Sequence, residues 1–248
     1  MSVGWIEAPI ARVHAWADGL ISVVFDRRLD DFEAGQFVNL GVDVDGRRTK
    51  RAYSLASAPG EDAEFFVVRV DDGVLTTRLF ERAVGDTVLL LPRAAGFFTL
   101  RWVPDAEVLW MVGTGTGLAP FLSMLRAGEV FERFGHVVLV HGVRQAAHLA
   151  YQHEIMAHAE AHPGRLSYVP VVSREVAPGA LRGRVTTAFD DGRLEEAAGR
   201  ALNAETGHVM MCGNPAMLDD LQALLEARRG MRVNRRKTPG HITVERYW

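Results

Sequence analysis

The segment VGTGTGLAP, from Val112 to Pro120, has residue types and a spacing that suit phosphate binding. Gly113, Gly115 and Gly117 allow a backbone to approach a diphosphate closely, and a helix that begins after them offers unpaired N–H groups. The match to the dinucleotide-binding fingerprint is partial, because Pro120 stands where the last glycine falls when counting starts at Gly115. A glycine-rich turn between strand and helix is also ordinary α/β architecture, so this segment alone leaves both interpretations open.

A second segment, RAYSLAS from Arg51 to Ser57, combines side chains that suit a ligand with a phosphate and a flat ring system. Arg51 can donate two parallel hydrogen bonds to a phosphate, Tyr53 can cover a heterocycle, and Ser54 can hydrogen-bond the edge of that ring. Taken alone, however, Arg-x-Tyr-Ser is better explained as an exposed strand with alternating side chains.

Two shorter segments add to this pattern. Gly73-Val74-Leu75-Thr76 begins a short helix at a turn, where N–H groups and a hydroxyl can meet a second phosphate. Cys212-Gly213-Asn214-Pro215 lies at the end of another strand, at the edge where ligands bind in open α/β sheets. The alternative for Cys212 is a small buried apolar residue.

A metal site is the less favoured interpretation of one further spacing. Glu154, His158 and His162 recur every four residues and would share one face of a helix. The spacing lacks a His-Glu-x-x-His core, and a solvated polar face explains it better. We therefore predict no metal ion.

The first hundred residues read as strands separated by turn signals such as Asp-Gly and Ala-Pro-Gly. This spacing is typical of an antiparallel barrel or sandwich, with one short helix over Val74–Arg82. The predicted strands are Leu20–Phe25, Gln36–Val42, Arg51–Ala56, Glu64–Val70 and Thr87–Leu91.

After a linker at Arg93–Asp105, strand-like and helix-like segments alternate, which indicates a parallel sheet covered by helices. We therefore predict two domains, residues 1–100 and 101–248. The predicted strands of the second are Glu107–Val112, His136–Val140, Leu166–Val172 and His208–Cys212, and its predicted helices lie near Ala119–Ala127, Leu149–Ala161 and Pro215–Arg229.

Composition excludes several classes of protein. The chain has 248 residues, 48% of them apolar, yet no run of 18 apolar residues that would predict a transmembrane helix, and no secretory signal is visible. The single cysteine, Cys212, rules out a disulfide within the chain and a cysteine-ligated iron–sulfur cluster. These features predict a globular protein of the cytoplasm.

Charge is distributed unevenly along the chain. Residues 225–248 carry seven Lys or Arg against two Glu, whereas the whole chain has a net charge of −3. Such a basic end can attract nucleic acid, phosphate or an acidic protein, although a solvated helix end explains it as well.

Taken together, the order and spacing of these motifs resemble ferredoxin–NADP(+) reductases, and most closely the short bacterial flavodoxin/ferredoxin reductases. The resemblance rests on RAYS, on Gly115-Thr116-Gly117 with Ala119-Pro120, on Cys212-Gly213 and on a Tyr-Trp end at Tyr247-Trp248. It covers essentially the whole chain, and the combination is much more specific than any one motif.

The resemblance implies an antiparallel FAD-binding β-barrel followed by a parallel-sheet NADP-binding domain. It implies that Tyr53 stacks on the isoalloxazine, that Ser54 lies near flavin N5, and that Trp248 covers the opposite flavin face. Cys212 and Glu245 would complete the catalytic site, with Glu245 as a proton relay or nicotinamide contact. The FAD site implied by the resemblance comprises Arg51, Ala52, Tyr53, Ser54, Phe66, Val67, Val68, Arg69, Val74, Leu75, Thr76, Thr116 and Trp248.

Arginines near strand ends favour NADP over NAD, because an arginine can hold a 2′-phosphate where an acidic residue would bind a free ribose hydroxyl. Chance placement in an arginine-rich chain is the alternative. Glu175, an acid beside Arg174, fits this assignment poorly. The implied NADP site comprises Gly115, Gly117, Arg144, Ser173, Arg174, Arg184 and Gly213.

The predicted activity is electron exchange between NADP(H) and ferredoxin or flavodoxin through FAD. An acidic carrier would be steered to the basic end of the chain, with no nucleic acid or membrane as partner, and the protein is expected to be a monomer. Two alternatives remain open: the reductase component of an oxygenase, and a nucleotide-binding module without enzymatic activity.

Overall fold

The computed structural model of the protein describes residues 4–44 and 46–246, and it divides into two compact units. The first unit comprises the chain up to Thr99 together with Ala119–Ala127, and the second comprises Leu100–Leu118 and the chain from Gly128 onwards. A boundary at residue 100 stays a prediction. The helix at Ala119–Ala127 groups with the N-terminal strands, although the sequence pattern placed it in the C-terminal domain.

Six strands of the first unit form one sheet in the order β4-β3-β6-β1-β2-β5, and every pairing is antiparallel. Gly46, with a φ of 72°, lies in the two-residue connection between β3 and β4, where a tight hairpin needs a positive φ. The strands are β1 (Ile6–Ala17), β2 (Leu20–Arg28), β3 (Phe37–Val44), β4 (Arg47–Ser54), β5 (Asp62–Val68) and β6 (Thr87–Ala95).

The two edges of this sheet meet where Leu55, just after β4, forms an antiparallel bridge with Phe65 on β5. Inside the resulting barrel lies a core of aliphatic and aromatic side chains from all strands except β4, which contributes only the half-buried Tyr53. Burial of this apolar face holds the unit together and leaves most of β4 exposed.

The second unit contains a six-stranded parallel sheet in the order β10-β9-β8-β7-β11-β12. The chain leaves β7 toward β8 on one side and later adds β11 on the other. The carboxyl ends of β7 and β11 therefore form the topological switch point where open α/β sheets bind ligands. The strands are β7 (Val108–Thr114), β8 (His136–Val143), β9 (Leu166–Val172), β10 (Leu181–Arg182), β11 (Gly207–Gly213) and β12 (Ile242–Arg246).

Helices connect the parallel strands, and α7 carries a clear start signal and a clear stop signal. Helix α7 begins after Asn214, whose side chain accepts a hydrogen bond from the Met217 N–H (3.2 Å), and it ends at Gly230, with a φ of 62°. The helices are α1 (Val74–Phe80) and α2 (Ala119–Ala127) in the first unit, and α3 (Glu129–Arg133), α4 (Gln152–Ala161), α5 (Val185–Asp190), α6 (Arg193–Ala198) and α7 (Pro215–Arg229) in the second.

The predicted fold class, an antiparallel barrel followed by a parallel α/β sheet, is confirmed. The sequence analysis listed four of the six parallel strands and missed β10 and β12, which are short and partly exposed. Within the described residues, no helix is long and apolar enough to span a membrane.

Candidate functional site

Strand β4 ends in the residues Arg51 to Ser54, at the edge of the first sheet. Arg51 is exposed, and its Nη1 donates to the Lys50 carbonyl oxygen (2.9 Å). Among the described residues no carboxylate pairs with Arg51, so its cation is available to an anionic ligand. Ala52 is exposed as well, whereas Ser54 is buried.

The Tyr53 ring is half-buried and lies edge-on to Phe65, with 6.4 Å between the ring centroids. Burial raises the pKa of Tyr53 to about 12, against a weaker opposing effect of the Arg51 charge. The phenol therefore stays neutral over the physiological range. A neutral, partly exposed ring suits stacking against a flat heterocycle.

Of the residues Phe66 to Arg69, only the last two are exposed. Val67 packs into the barrel core, so its side chain is turned away from any ligand at the surface. Val68 and Arg69 are exposed, and the Arg69 guanidinium lies 5.0 Å from the centroid of the Phe80 ring. This segment thus offers an apolar side chain and a cation near the start of α1.

The turn before α1 uses its hydroxyl group internally. Thr76 Oγ1 lies 3.0 Å from the Gly73 carbonyl oxygen, to which it donates, and accepts from the Val70 N–H (3.3 Å). A Cβ on Gly73 would lie 2.5 Å from Thr76 Oγ1, so this position has no room for a side chain and requires glycine. Leu75 belongs to the core and Val74 is 47% exposed. The Thr76 hydroxyl thus stabilises the turn, and only backbone N–H groups remain for a phosphate.

In the second unit the glycine-rich turn follows β7 at the switch point of the sheet. Gly115 has a φ of 55°, and a Cβ there would meet no atom within 4 Å. A Cβ on Gly117 would instead lie 2.4 Å from the Cys212 carbonyl oxygen. Gly117 is therefore required by packing against β11, Gly115 by its backbone conformation, and Thr116 is buried between them.

Cys212 and Glu245 face each other on adjacent strands at this edge. They are register partners of β11 and β12, and the Cys212 Sγ lies 4.0 Å from Glu245 Oε2, to which the thiol donates. The Cys212 side chain is fully buried, as the apolar alternative also required. The sequence-predicted pair is thus brought together next to Gly113, the register partner of Cys212 on β7.

Thr114 is a residue of this edge that the sequence reasoning missed. Its Oγ1 accepts a hydrogen bond from the Asn214 N–H (2.9 Å), and a Cβ on Gly213 would lie 2.2 Å from that oxygen. Gly213 has a φ of 133°, which only glycine adopts readily. In the sequence, only its position as a hydroxyl-bearing residue between Gly113 and Gly115 could have indicated this contact.

Three predicted arginines gather at the carboxyl ends of β8, β9 and β10. The Arg174 N–H donates to the Arg144 carbonyl oxygen (2.9 Å), and Ser173 Oγ donates to the Val143 carbonyl oxygen (3.2 Å). Arg184 immediately precedes α5. All three side chains are exposed, and none forms an ion pair within residues 4–44 and 46–246.

Glu175, the acid beside Arg174, forms a hydrogen bond within the neighbouring loops. Its Oε1 accepts a hydrogen bond from the Ala146 N–H (2.6 Å), which ties the loops after β8 and β9 together. The acid beside Arg174 therefore has a structural explanation.

The basic end of the chain is less uniform than its composition indicates. Arg228, Arg229 and Arg246 pair with acids within the second unit, at 3.5, 2.5 and 2.7 Å. The other four cations are exposed and have no acid partner among the described residues. We call them the basic loop, between α7 and β12: Arg232, Arg235, Arg236 and Lys237.

Two predictions concern other parts of the chain. The His162 ring stacks on Phe131 with 3.7 Å between centroids, and no group of three His, Cys, Asp or Glu among the described residues is arranged to hold a metal ion. Trp248, predicted to cover a flavin face, lies outside the described residues.

Comparison with known proteins gives a consistent result. The family model of the oxidoreductase NAD-binding domain matches residues 111–223. Flavodoxin/ferredoxin–NADP reductases of Shigella flexneri and Escherichia coli are 44% and 43% identical over 98% of this chain and 99% of their own. The crystal structure of a ferredoxin NADP+ reductase from Neisseria gonorrhoeae with bound FAD and NADP superposes with a TM-score of 0.92 at 33% identity, covering 98% of this chain and 99% of that one.

Proposed function

The chain belongs to the family of flavodoxin/ferredoxin–NADP reductases, and from this premise we propose which of its residues bind FAD and NADP(H). Electrons are exchanged between NADP(H) and ferredoxin or flavodoxin through the bound FAD. The observation that carries the activity is a similarity that spans both units, not the nucleotide-binding domain alone. A nucleotide-binding module without a flavin would leave the RAYS strand unexplained, and an oxygenase component is no better supported.

The residues of the first unit fit FAD. Arg51 supplies a cation without a carboxylate partner for the diphosphate, and the neutral Tyr53 ring supplies a surface for the isoalloxazine. Ser54 is assigned to the flavin edge. Gly73 is required by the turn itself, and the first backbone N–H groups of α1 are assigned to a phosphate.

The residues at the carboxyl edge of the second sheet fit NADP(H). The unpaired Arg144, Arg174 and Arg184 are assigned to the 2′-phosphate, for which guanidinium groups are suited. Gly115, with open space beside its Cα, is assigned to the diphosphate. Gly117 and Gly213 act indirectly, because their missing side chains let β7 and β11 approach each other closely.

FAD, when bound, supplies two-electron chemistry toward NADP(H) and one-electron chemistry toward the carrier. The protein's own contribution is to position the reacting groups and to control protons around them. We assign Cys212 and Glu245 to the nicotinamide. The Cys212 thiol donates to Glu245 Oε2 and thereby fixes the carboxylate at the strand end.

The basic loop is the proposed docking surface for the carrier. Its four exposed cations have no acid partner among the described residues, so they can attract an acidic protein over a distance. Rate enhancement of this kind falls as salt increases.

The proposal is tested by mixing the purified protein with NADPH and with purified flavodoxin or ferredoxin. We expect flavin absorption bands in the protein, reduction of the carrier that requires both NADPH and this protein, and a rate that falls with ionic strength. A colourless protein, or flavin bands with no carrier reduction at any salt concentration, would contradict it. The monomeric state, the cytoplasmic location and the role of Trp248 stay predictions.

A further inference from the structure

Helix α2 donates two side-chain hydrogen bonds to the backbone that directly follows β4. Ser123 Oγ donates to the Ser57 carbonyl oxygen (2.7 Å), and Arg126 Nη1 donates to the Ala56 carbonyl oxygen (2.9 Å). We call Ser123 and Arg126 the helix clamp. Both residues belong to the same compact unit as β4.

The Arg126 guanidinium is held in place by a buried carboxylate. Its Nη1 lies 2.7 Å from Glu64 Oε2, and the two side chains are only 15% and 10% exposed. The backbone of Glu64 accepts the Ala56 N–H (2.8 Å), so Glu64 and Arg126 together bind both polar backbone groups of Ala56. A buried ion pair seldom stabilises a fold more than apolar residues of equal size would, so the backbone that this pair positions explains it better than stability does.

The Arg126–Glu64 pair positions the backbone at the end of β4, the strand assigned to the flavin. We propose that the helix clamp, with Glu64, fixes the backbone after β4 and so sets the position of Tyr53 and Ser54 against the flavin. This inference rests on the proposed function, because it concerns the same FAD site. Ser123, Arg126 and Glu64 are positioning residues here and need not touch the cofactor.

The burial of this segment makes the clamp effective. Ala56 and Ser57 are 0% and 1% exposed, so their carbonyl groups cannot exchange a lost donor for water. An unpaired buried carbonyl is costly, and its peptide plane rotates toward another donor. Ser54 lies only two residues before Ala56, so such a rotation is transmitted to the flavin-contacting side chains.

The experiment compares clamp variants with a control that loses similar bonds elsewhere. The clamp variants are Ser123→Ala, Arg126→Gln and Arg126→Lys. The control is Arg133→Gln, since the Arg133 guanidinium also donates to two backbone carbonyls, of Leu100 and Val103, but in the second unit. Each holoenzyme is assayed for thermal unfolding, for visible circular dichroism of the flavin, and for the FAD dissociation constant on dilution.

We expect the FAD dissociation constant to rise about tenfold in Arg126→Gln, which loses a hydrogen bond from a charged group to the Ala56 carbonyl oxygen. In Ser123→Ala, which loses a neutral hydrogen bond, we expect it to rise about fivefold. The visible dichroism should change in both. Arg126→Lys should recover part of both effects, because an ammonium can still reach one of the two acceptors. Arg133→Gln should unfold at a lower temperature and keep the wild-type flavin signature.

The inference is overturned if wild-type protein binds flavin but the clamp variants match Arg133→Gln in dichroism and in FAD affinity. If Arg126→Gln does not fold, the milder Ser123→Ala and Arg126→Lys decide by the same criterion. Wild-type protein that binds no flavin would instead overturn the proposed function, so the two failures are distinguishable.

Discussion

Replacing Arg174 or Arg184 by alanine should reduce the preference for NADPH over NADH. Both side chains are exposed and form no ion pair within the described part of the chain, so their removal leaves no buried carboxylate behind. The free energy of unfolding should therefore stay within about 0.5 kcal/mol of wild type, as for other surface substitutions.

The expected magnitude follows from the kind of bond that is lost. A hydrogen bond to a charged group contributes about 1.5–3 kcal/mol, and solvent exposure at this edge favours the lower end of that range. A loss of about 1.4 kcal/mol is tenfold. We therefore expect the KM for NADPH to rise about tenfold in each variant, while the KM for NADH, which lacks the 2′-phosphate, changes less than about twofold.

The assay is steady-state reduction of an artificial electron acceptor with each nucleotide, beside an Arg200→Ala control. Arg200 is also exposed and makes the same charge change, but it lies near His136 at the start of β8, the opposite end of the sheet. The control should leave both KM values unchanged. Equal losses with NADPH and NADH, or an equal effect in the control, would refute the assignment of these arginines to the 2′-phosphate.

Three further predictions concern the carboxyl edge of the second sheet and its opposite end. Cys212→Ala should slow flavin reduction by NADPH about tenfold or more in stopped-flow experiments, without loss of FAD, because Glu245 loses its thiol partner. An unchanged rate would show that Cys212 is only a packing residue. Gly213→Ala should destabilise the protein by about 3 kcal/mol or more, because its Cβ would collide with Thr114 of β7. The control Gly199→Ala, also at a positive φ but with open space around the new Cβ, should cost only about 1 kcal/mol. Equal melting temperatures of the two variants would contradict the described contact with β7. Burial is the main reason that the pKa of His208 is lowered to about 4 in the folded protein. Between pH 6.5 and 4 the unfolded chain therefore binds more protons than the folded chain does. Acidification across this window should lower the free energy of unfolding by up to about 3 kcal/mol. Urea denaturation of a His208→Gln variant should show a shallower dependence there, and parallel curves for variant and wild type would refute the attribution.

Helices with strong end signals were predictable from the sequence to the residue. Helix α7 has Asn214 and Pro215 at its start and Gly230 at its end, and it spans the predicted range. Strand β9 was equally clear, because a buried parallel strand is a short continuous apolar run.

Strand β1 was missed for a physical reason. Its pairing with β2 shifts register between Ile10 and Arg12 and again between Ala15 and Ala17, which breaks the alternation that reveals a strand. Helices α5 and α6 are six residues each, too short to show a helical period.

The site residues stay predictions, and for two of them the structure adds a contact that the sequence analysis did not include. Gly117 was assigned to a phosphate, whereas the structure shows that it makes room for the Cys212 carbonyl, 95 positions further along the chain. The Thr76 hydroxyl was assigned to a ligand, and the structure shows that it donates to the Gly73 carbonyl oxygen of its own turn. The contact of Gly117 depends on tertiary packing, which no local pattern encodes.

The central claim is that this protein binds FAD in its first unit and reduces it with NADPH bound at the carboxyl edge of its second sheet. Anaerobic rapid mixing of the purified protein with NADPH or NADH, followed at the visible flavin absorption band, tests it most directly. We predict rapid bleaching of one flavin per chain with NADPH, and the same bleaching with NADH only at much higher concentration. Flavin that NADPH does not bleach, or that both nucleotides bleach equally at low concentration, would contradict the account.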